Sequence, residues 1–177
     1  MGSKSTIVRP MSALGALVTM IPLGLTVGAF ALSGLDLRHA MMAGAGTYLL
    51  YRWVVVRRVI LAEHRRGILA MRAGRFEEGL EAFRASERWF ERHPTLDRFR
   101  ALLLGSASRH PFRILARYNQ GYALSRLGRG EEALERLEEV LREHPDMAMA
   151  SELRDVLLAG SRLHPEVGRA MSDAAPE

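Results

Sequence analysis

Residues 114 to 147 read ILARYNQGYALSRLGRGEEALERLEEVLREHPDM, and their spacing decides the fold class. Tyr118, Gly121 and Leu124 fall on one helical face, Gly128 supplies a turn, and Ala133, Leu137 and Val140 fall on a second helix that stops at Pro145. Each residue has a physical task. Gly121 and Ala133 are small enough for two helices to approach closely, Gly128 accepts the backbone of a tight turn, and Pro145 cannot continue the helix before it. The expected class is therefore all-α, built from short antiparallel helical pairs.

This stretch resembles a tetratricopeptide repeat, a helix-turn-helix unit of about 34 residues that stacks into a solenoid and binds peptides. A second, degenerate copy is similar: GILAMRAGRFEEGLEAF places Gly67, Gly74, Phe76, Gly79 and Phe83 at the small and aromatic positions. Gly74 and Gly128 lie 54 residues apart, about 20 more than one repeat, so the spacing predicts an insertion over 93–113 with a short amphipathic helix near 95–105. Leu96, Phe99 and Leu103 would close a core between the repeats, or arginine-flanked they would lie on a lipid surface. After Pro145 the segment MAMASELRDVLLAGSRL reads as a capping helix, which sets a repeat domain over 61–163 and a disordered tail over 164–177.

The resemblance implies that the first helix of each repeat lines a concave groove. His64, Ile68, Met71 and Arg72 would come from the first copy, and Leu115, Tyr118, Asn119, Tyr122, Ser125 and Arg126 from the second. Such a lining suits a peptide carrying an acidic group, held by charge-assisted hydrogen bonds from Arg72 and Arg126. An asparagine at the place of Asn119 helps grip peptide carboxylates in chaperone-binding members, but the lysines of that clamp are absent here. Two repeats make a shallow groove, and the inserted helix or the cap could fill it.

Upstream, residues 12–32 (SALGALVTMIPLGLTVGAFAL) carry no charge, and a second apolar run from His39 reaches TYLLYRWVVV with only Arg52 inside it. At ~1.5 Å per residue the first run matches ~30 Å of hydrocarbon, which predicts a transmembrane helical hairpin over 12–60 after an N-terminal tail of 1–11. A secretory signal peptide ending at Ala29-Phe30-Ala31 is the competing reading. Gly24 and Gly28, set against Gly44 and Gly46, would close the hairpin or drive a dimer. Arg52, Arg57, Arg58, Arg65 and Arg66 would meet lipid headgroups, and the flanking arginines put both termini in the cytoplasm. The arginine-rich, lysine-poor composition fits a GC-rich genome and hence a bacterial inner membrane.

The charge is uneven. Residues 1–75 hold 10 Lys and Arg against 2 acids, and residues 76–177 hold 15 against 18, so the net +5 reflects the N-terminal segment rather than a nucleic-acid surface. No cysteine is present, so a disulfide framework is excluded. The six histidines form no spaced metal pair, no Gly-x-Ser-x-Gly elbow occurs, and the glutamates at 77, 78, 81, 131, 132 and 135 suit solvated helix starts. No cofactor and no metal is expected. The chain reads as a membrane-anchored scaffold or accessory subunit that binds protein partners and the lipid bilayer rather than as an enzyme. A free adaptor that recruits clients through the groove is the alternative.

Overall fold

Pro22 and Asp36 set the starts of the first two helices. α1 (Ile21–Leu32) carries Pro22 in its first turn, where a missing N–H costs nothing. α2 (Leu37–Tyr51) is capped by Asp36, whose carboxylate accepts the His39 backbone N–H at 3.0 Å. Gly34, at φ +88°, turns the chain between them. The buried stripe Ala40, Gly44 and Tyr48 faces α1, and a Cβ on Gly44 would stand 2.6 Å from the Val27 backbone, so the two helices meet at backbone distance there.

The computed structural model describes residues 17–18 and 20–163, and the elements among them are helical. They form two compact units: the described residues up to Ala62 with Phe90–Pro111, and Glu63–Trp89 with residues 112–163.

In the first unit α2 runs into a π-helical segment, Arg52–Ile60, where hydrogen bonds skip an extra residue, as in Leu61 N–H to Val56 O at 2.9 Å. The insertion belongs to this unit. It forms α5 (Pro94–Arg98) and α6 (Arg100–Leu103), with α6 packed on α1. Two side chains tie it down: the Tyr51 hydroxyl donates to Leu103 O at 2.8 Å, and Arg52 Nη1 donates to Gly105 O at 3.1 Å while also donating to the Tyr48 hydroxyl at 3.3 Å. Arg100 closes the following loop by donating to the carbonyls of Asp97, Ser108 and Arg109.

The expected transmembrane hairpin is corrected by this arrangement. A helical hairpin forms, but among the described residues no helix is long and apolar enough to cross a membrane. At ~1.5 Å per residue α1 is ~18 Å long, against ~30 Å of hydrocarbon, and α2 passes into a π-helical segment that carries Arg52, Arg57 and Arg58. The membrane localisation and its orientation of termini fall with the span. Residues 12–16 and Thr19 of the expected first span, the tail over 1–11 and the tail over 164–177 lie outside the described residues. Of the four packing glycines only Gly44 makes the close approach; Gly24, Gly28 and Gly46 have open space where a Cβ would stand. Arg52 serves the Gly105 loop rather than a headgroup, and Arg58 stacks 4.0 Å from the Trp53 ring centre. The inserted helix is also two short pieces broken at Phe99, and it sits with the hairpin instead of closing a core between repeats.

In the second unit two helical pairs recur at a constant offset. α3 (Ala62–Arg72) and α4 (Phe76–Arg92) form the first; α7 (Phe112–Arg126) and α8 (Gly130–Glu143) form the second, followed by α9 (Ala148–Leu163). Gly67, Gly74, Gly79 and Phe83 of the first pair stand 54 residues before Gly121, Gly128, Ala133 and Leu137 of the second. Gly74 and Gly128 take φ +75° and +78° in the turns. Arg75 N–H bonds Ala70 O at 2.9 Å, and Arg129 N–H bonds Leu124 O at 3.0 Å. A Cβ on Gly67 would press on the Phe83 ring at 2.7 to 2.9 Å, and one on Gly121 would meet the Leu137 side chain at 3.1 to 3.2 Å. Ala70, Leu80, Phe83, Ala123, Leu124, Ala133, Leu137 and Val140 are buried along the seams.

The two glycines therefore respond differently to a methyl group. Gly67→Ala gains about 1 kcal/mol of helix propensity but overpacks a rigid, buried ring at about 1–3 kcal/mol, so a net loss is expected in urea unfolding of the full chain. Gly121→Ala, facing a flexible leucine, is expected to be within about 0.5 kcal/mol of neutral.

Candidate partner-binding face

All ten residues of the expected groove lie on α3 and α7, and the structure sorts them into packed and presented sets. His64 belongs to the core. It is 5% exposed, edge-on to Phe83 and Phe112 at 5.5 and 5.4 Å between ring centres, with Nδ1 3.3 Å from the Ser86 hydroxyl. Met71 packs on Leu80, Ala123, Leu124 and Ala133, and its sulfur fills the space left by Gly79. Leu115 and Tyr118 pack on the buried cluster of Ile114, Leu137, Val140, Met147 and Ala150, against which Met149 and Leu153 of α9 also pack. Burial raises the Tyr118 pKa, aided by Tyr122 and Glu152.

Ile68, Asn119, Tyr122 and Ser125 remain half-buried, and Arg72 and Arg126 are exposed. The Arg126 guanidinium stacks 4.9 Å from the Phe76 ring centre, which fixes its position without neutralising its charge. The Ser125 hydroxyl donates to Tyr122 O at 2.7 Å and so turns back on its own helix. What stays available is a short strip of apolar, amide, phenol and guanidinium groups, chemically suited to a peptide with a carboxylate.

A polar network that residue spacing did not single out joins α4, α7 and α8. Glu87 lies on the buried stripe of α4, in register with Leu80, Phe83 and Phe90. One carboxylate oxygen accepts Arg117 Nε at 2.6 Å and the other accepts Gln120 Nε2 at 2.6 Å. Arg117 also donates to Glu143 Oε1 at 2.6 Å, and Arg113 pairs with the same glutamate through both Nη atoms. Burial opposes the charge on Arg117, but the bonds to Glu87 and Glu143 outweigh it and raise its pKa. Gln120 is fully buried, and its Oε1 has no hydrogen-bond partner. The sequence held a signal for this layer: Arg117 and Gln120 interrupt an otherwise apolar stripe on α7, and Glu87 interrupts the one on α4.

No family model, no curated protein and no solved structure matches this chain.

The Arg113 and Arg117 guanidiniums hold the Glu143 carboxyl at about 2, against an ordinary 4.5. A depressed folded-state pKa gives stability that is present above the ordinary value and lost as pH falls through the folded one. Urea midpoints of the full chain should accordingly fall between pH ~5 and ~2, and Glu143→Gln should flatten that limb. Its carboxylate side chain is 38% exposed, so after solvent screening the expected contribution is about 1 kcal/mol. Glu87→Ala leaves the buried Arg117 and Gln120 short of a partner and should cost about 3 kcal/mol at neutral pH in the same assay.

Proposed function

We propose that Glu63–Trp89 with residues 112–163 form a tetratricopeptide-like recognition module that holds a protein partner, and that the chain serves as a scaffold or accessory subunit without catalytic chemistry. The observation that carries this reading is the 54-residue recurrence of turn, small-residue contact and buried seam in two successive helical pairs. Helical pairs that repeat in this way build an elongated face from one helix of each pair, and such faces bind extended or helical peptides.

The face offered to the partner is narrower than the full groove. Ile68, Arg72, Asn119, Tyr122 and Arg126 supply it, whereas His64, Met71, Leu115 and Tyr118 are committed to packing. Arg72 and Arg126 favour a partner segment with an acidic side chain or a terminal carboxylate. The Glu87–Arg117 bond, half-buried, and the more exposed Arg117–Glu143 bond brace α7 against α4 and α8, which limits the entropy lost by the strip on binding.

A photo-crosslinking residue at Tyr122 or Asn119 should give a discrete adduct in cells that express the chain, and one at the exposed Glu138 of α8 should not. Paired Arg72→Glu and Arg126→Glu substitutions should lower adduct yield at Tyr122 at least about tenfold, since like charge against an acidic partner costs a few kcal/mol. Equal adducts at Tyr122 and Glu138, or a yield indifferent to charge reversal, would overturn the reading.

A further inference from the structure

Two cations on the partner-binding face of the second unit have no anion to meet. Arg66, Arg75, Arg129 and Arg136 each approach a glutamate at 2.6 to 3.6 Å. Arg72 and Arg126 do not, and among the described residues neither has an ion-pair partner. They stand together at one end of the strip. Arg72 ends α3 and Arg126 ends α7, and the Arg126 guanidinium lies 4.9 Å from the ring centre of Phe76, just across the Gly74 turn from Arg72. Ile68, Asn119 and Tyr122, each half-buried, continue the strip back along the same two helices.

The last helix carries the chain toward that end. Met147, just before α9, and Ala150 within it share a buried cluster with Ile114 at the start of α7. Two turns on, Leu157 packs against that cluster and also against the one that holds Ala123 and Leu124. α9 therefore runs parallel to α7, and Leu163, ~9 Å beyond Leu157, comes at the end of the unit that carries Arg72 and Arg126. Residues 164–177, outside the described residues, read HPEVGRAMSDAAPE, with three acids against one arginine. At up to ~3.3 Å each they reach ~46 Å, against ~11 Å from Asn119 to Arg126 along α7.

We infer that residues 164–177 of this chain are the resident occupant of the strip, with the carboxylates of Asp173 and Glu177 paired to Arg126 and Arg72, and that a partner binds by displacing them. The inference rests on the recognition reading above and adds its regulation. Charge complementarity selects the segment, because it brings carboxylates to the two guanidiniums that the folded unit leaves without one. Val167 and Met171 supply apolar side chains for Ile68 and Tyr122. The tether does the rest: a segment joined to the unit by a few residues acts at an effective concentration of about millimolar, so a contact too weak to hold two separate molecules is filled within one chain. A partner must then exceed that local competition, which sets a threshold for binding.

A benzophenone amino acid in place of Tyr122 tests this in the purified full chain, where no partner is present. Illumination should join position 122 to a peptide from 164–177 of the same chain, at a yield independent of protein concentration. The same probe at the exposed Glu138 of α8 should give no such adduct. Asp173→Lys with Glu177→Lys should lower the intrachain yield at least about tenfold, and in cells should raise the yield of partner adduct at position 122 at least about threefold. Absence of the intrachain adduct, a yield indifferent to the double substitution, or an adduct that joins two chains in proportion to concentration would overturn the inference. So would a partner adduct in cells that the double substitution leaves unchanged. An intrachain adduct with no partner adduct from either version of the chain would uphold the contact and overturn only the recognition reading.

Discussion

Backbone-distance contact between paired helices is the constraint on which the second unit depends. Where Gly67 meets the Phe83 ring there is no room for a side chain on the glycine, and where Gly121 meets Leu137 a methyl group would fit only if the leucine gave way, so both contacts favour one register for each pair. With the register fixed, the glycine turns at 74 and 128 must sit where they do, and Leu80, Leu124, Ala133 and Val140 are forced inward. A slip of one position would rotate each seam by about 100° and expose it. The degenerate first copy keeps this constraint by different means: Gly79 stands where the second copy has Ala133, and the Met71 sulfur occupies the space released.

A second layer of the same unit is ionic instead of apolar. Glu87, Arg117 and Glu143 come from α4, α7 and α8, and they connect the two helical pairs through one half-buried guanidinium. Replacing such a group with well-packed hydrocarbon often leaves stability unchanged or improved, so its worth lies in direction more than in energy. In the arrangement observed, Arg117 of α7 meets both the Glu87 carboxylate of α4 and the Glu143 carboxylate of α8. The unpartnered Oε1 of Gln120 marks a local cost of that choice.

The helices on either side of Gly128 were legible in the sequence because their signals are steric and local. Glycine at 121 and 128, alanine at 133 and proline at 145 each report a backbone requirement, and the helices lie where those residues put them. The insertion was located from the 54-residue spacing, but not its allegiance: Tyr51, Arg52 and Arg100 hold it by bonds to backbone carbonyls, which leave no trace in residue identity. The hairpin shows the opposite failure. An uncharged run of about 21 residues was read as one span, while Pro22 starts a helix of 12 residues there and the chain turns at Gly34. The surroundings of the expected groove residues were not legible for a related reason. Spacing says which helix a residue occupies, but His64 lies between two aromatic edges and Leu115 packs on a cluster that includes Met147 and Ala150, and both facts depend on neighbours distant in sequence.

The central claim is that two helical pairs 54 residues apart are copies of one unit, locked together by small-residue seams and the Glu87–Arg117–Glu143 bonds. Amide hydrogen exchange on the full chain tests it most directly, since it reads the opening of each helix separately. The account expects the core amides of α3, α4, α7 and α8 to share one opening free energy, and all four to lose protection together in Glu87→Ala. Helices α3 and α4 opening independently of α7 and α8, with protection lost in only one pair, would contradict it.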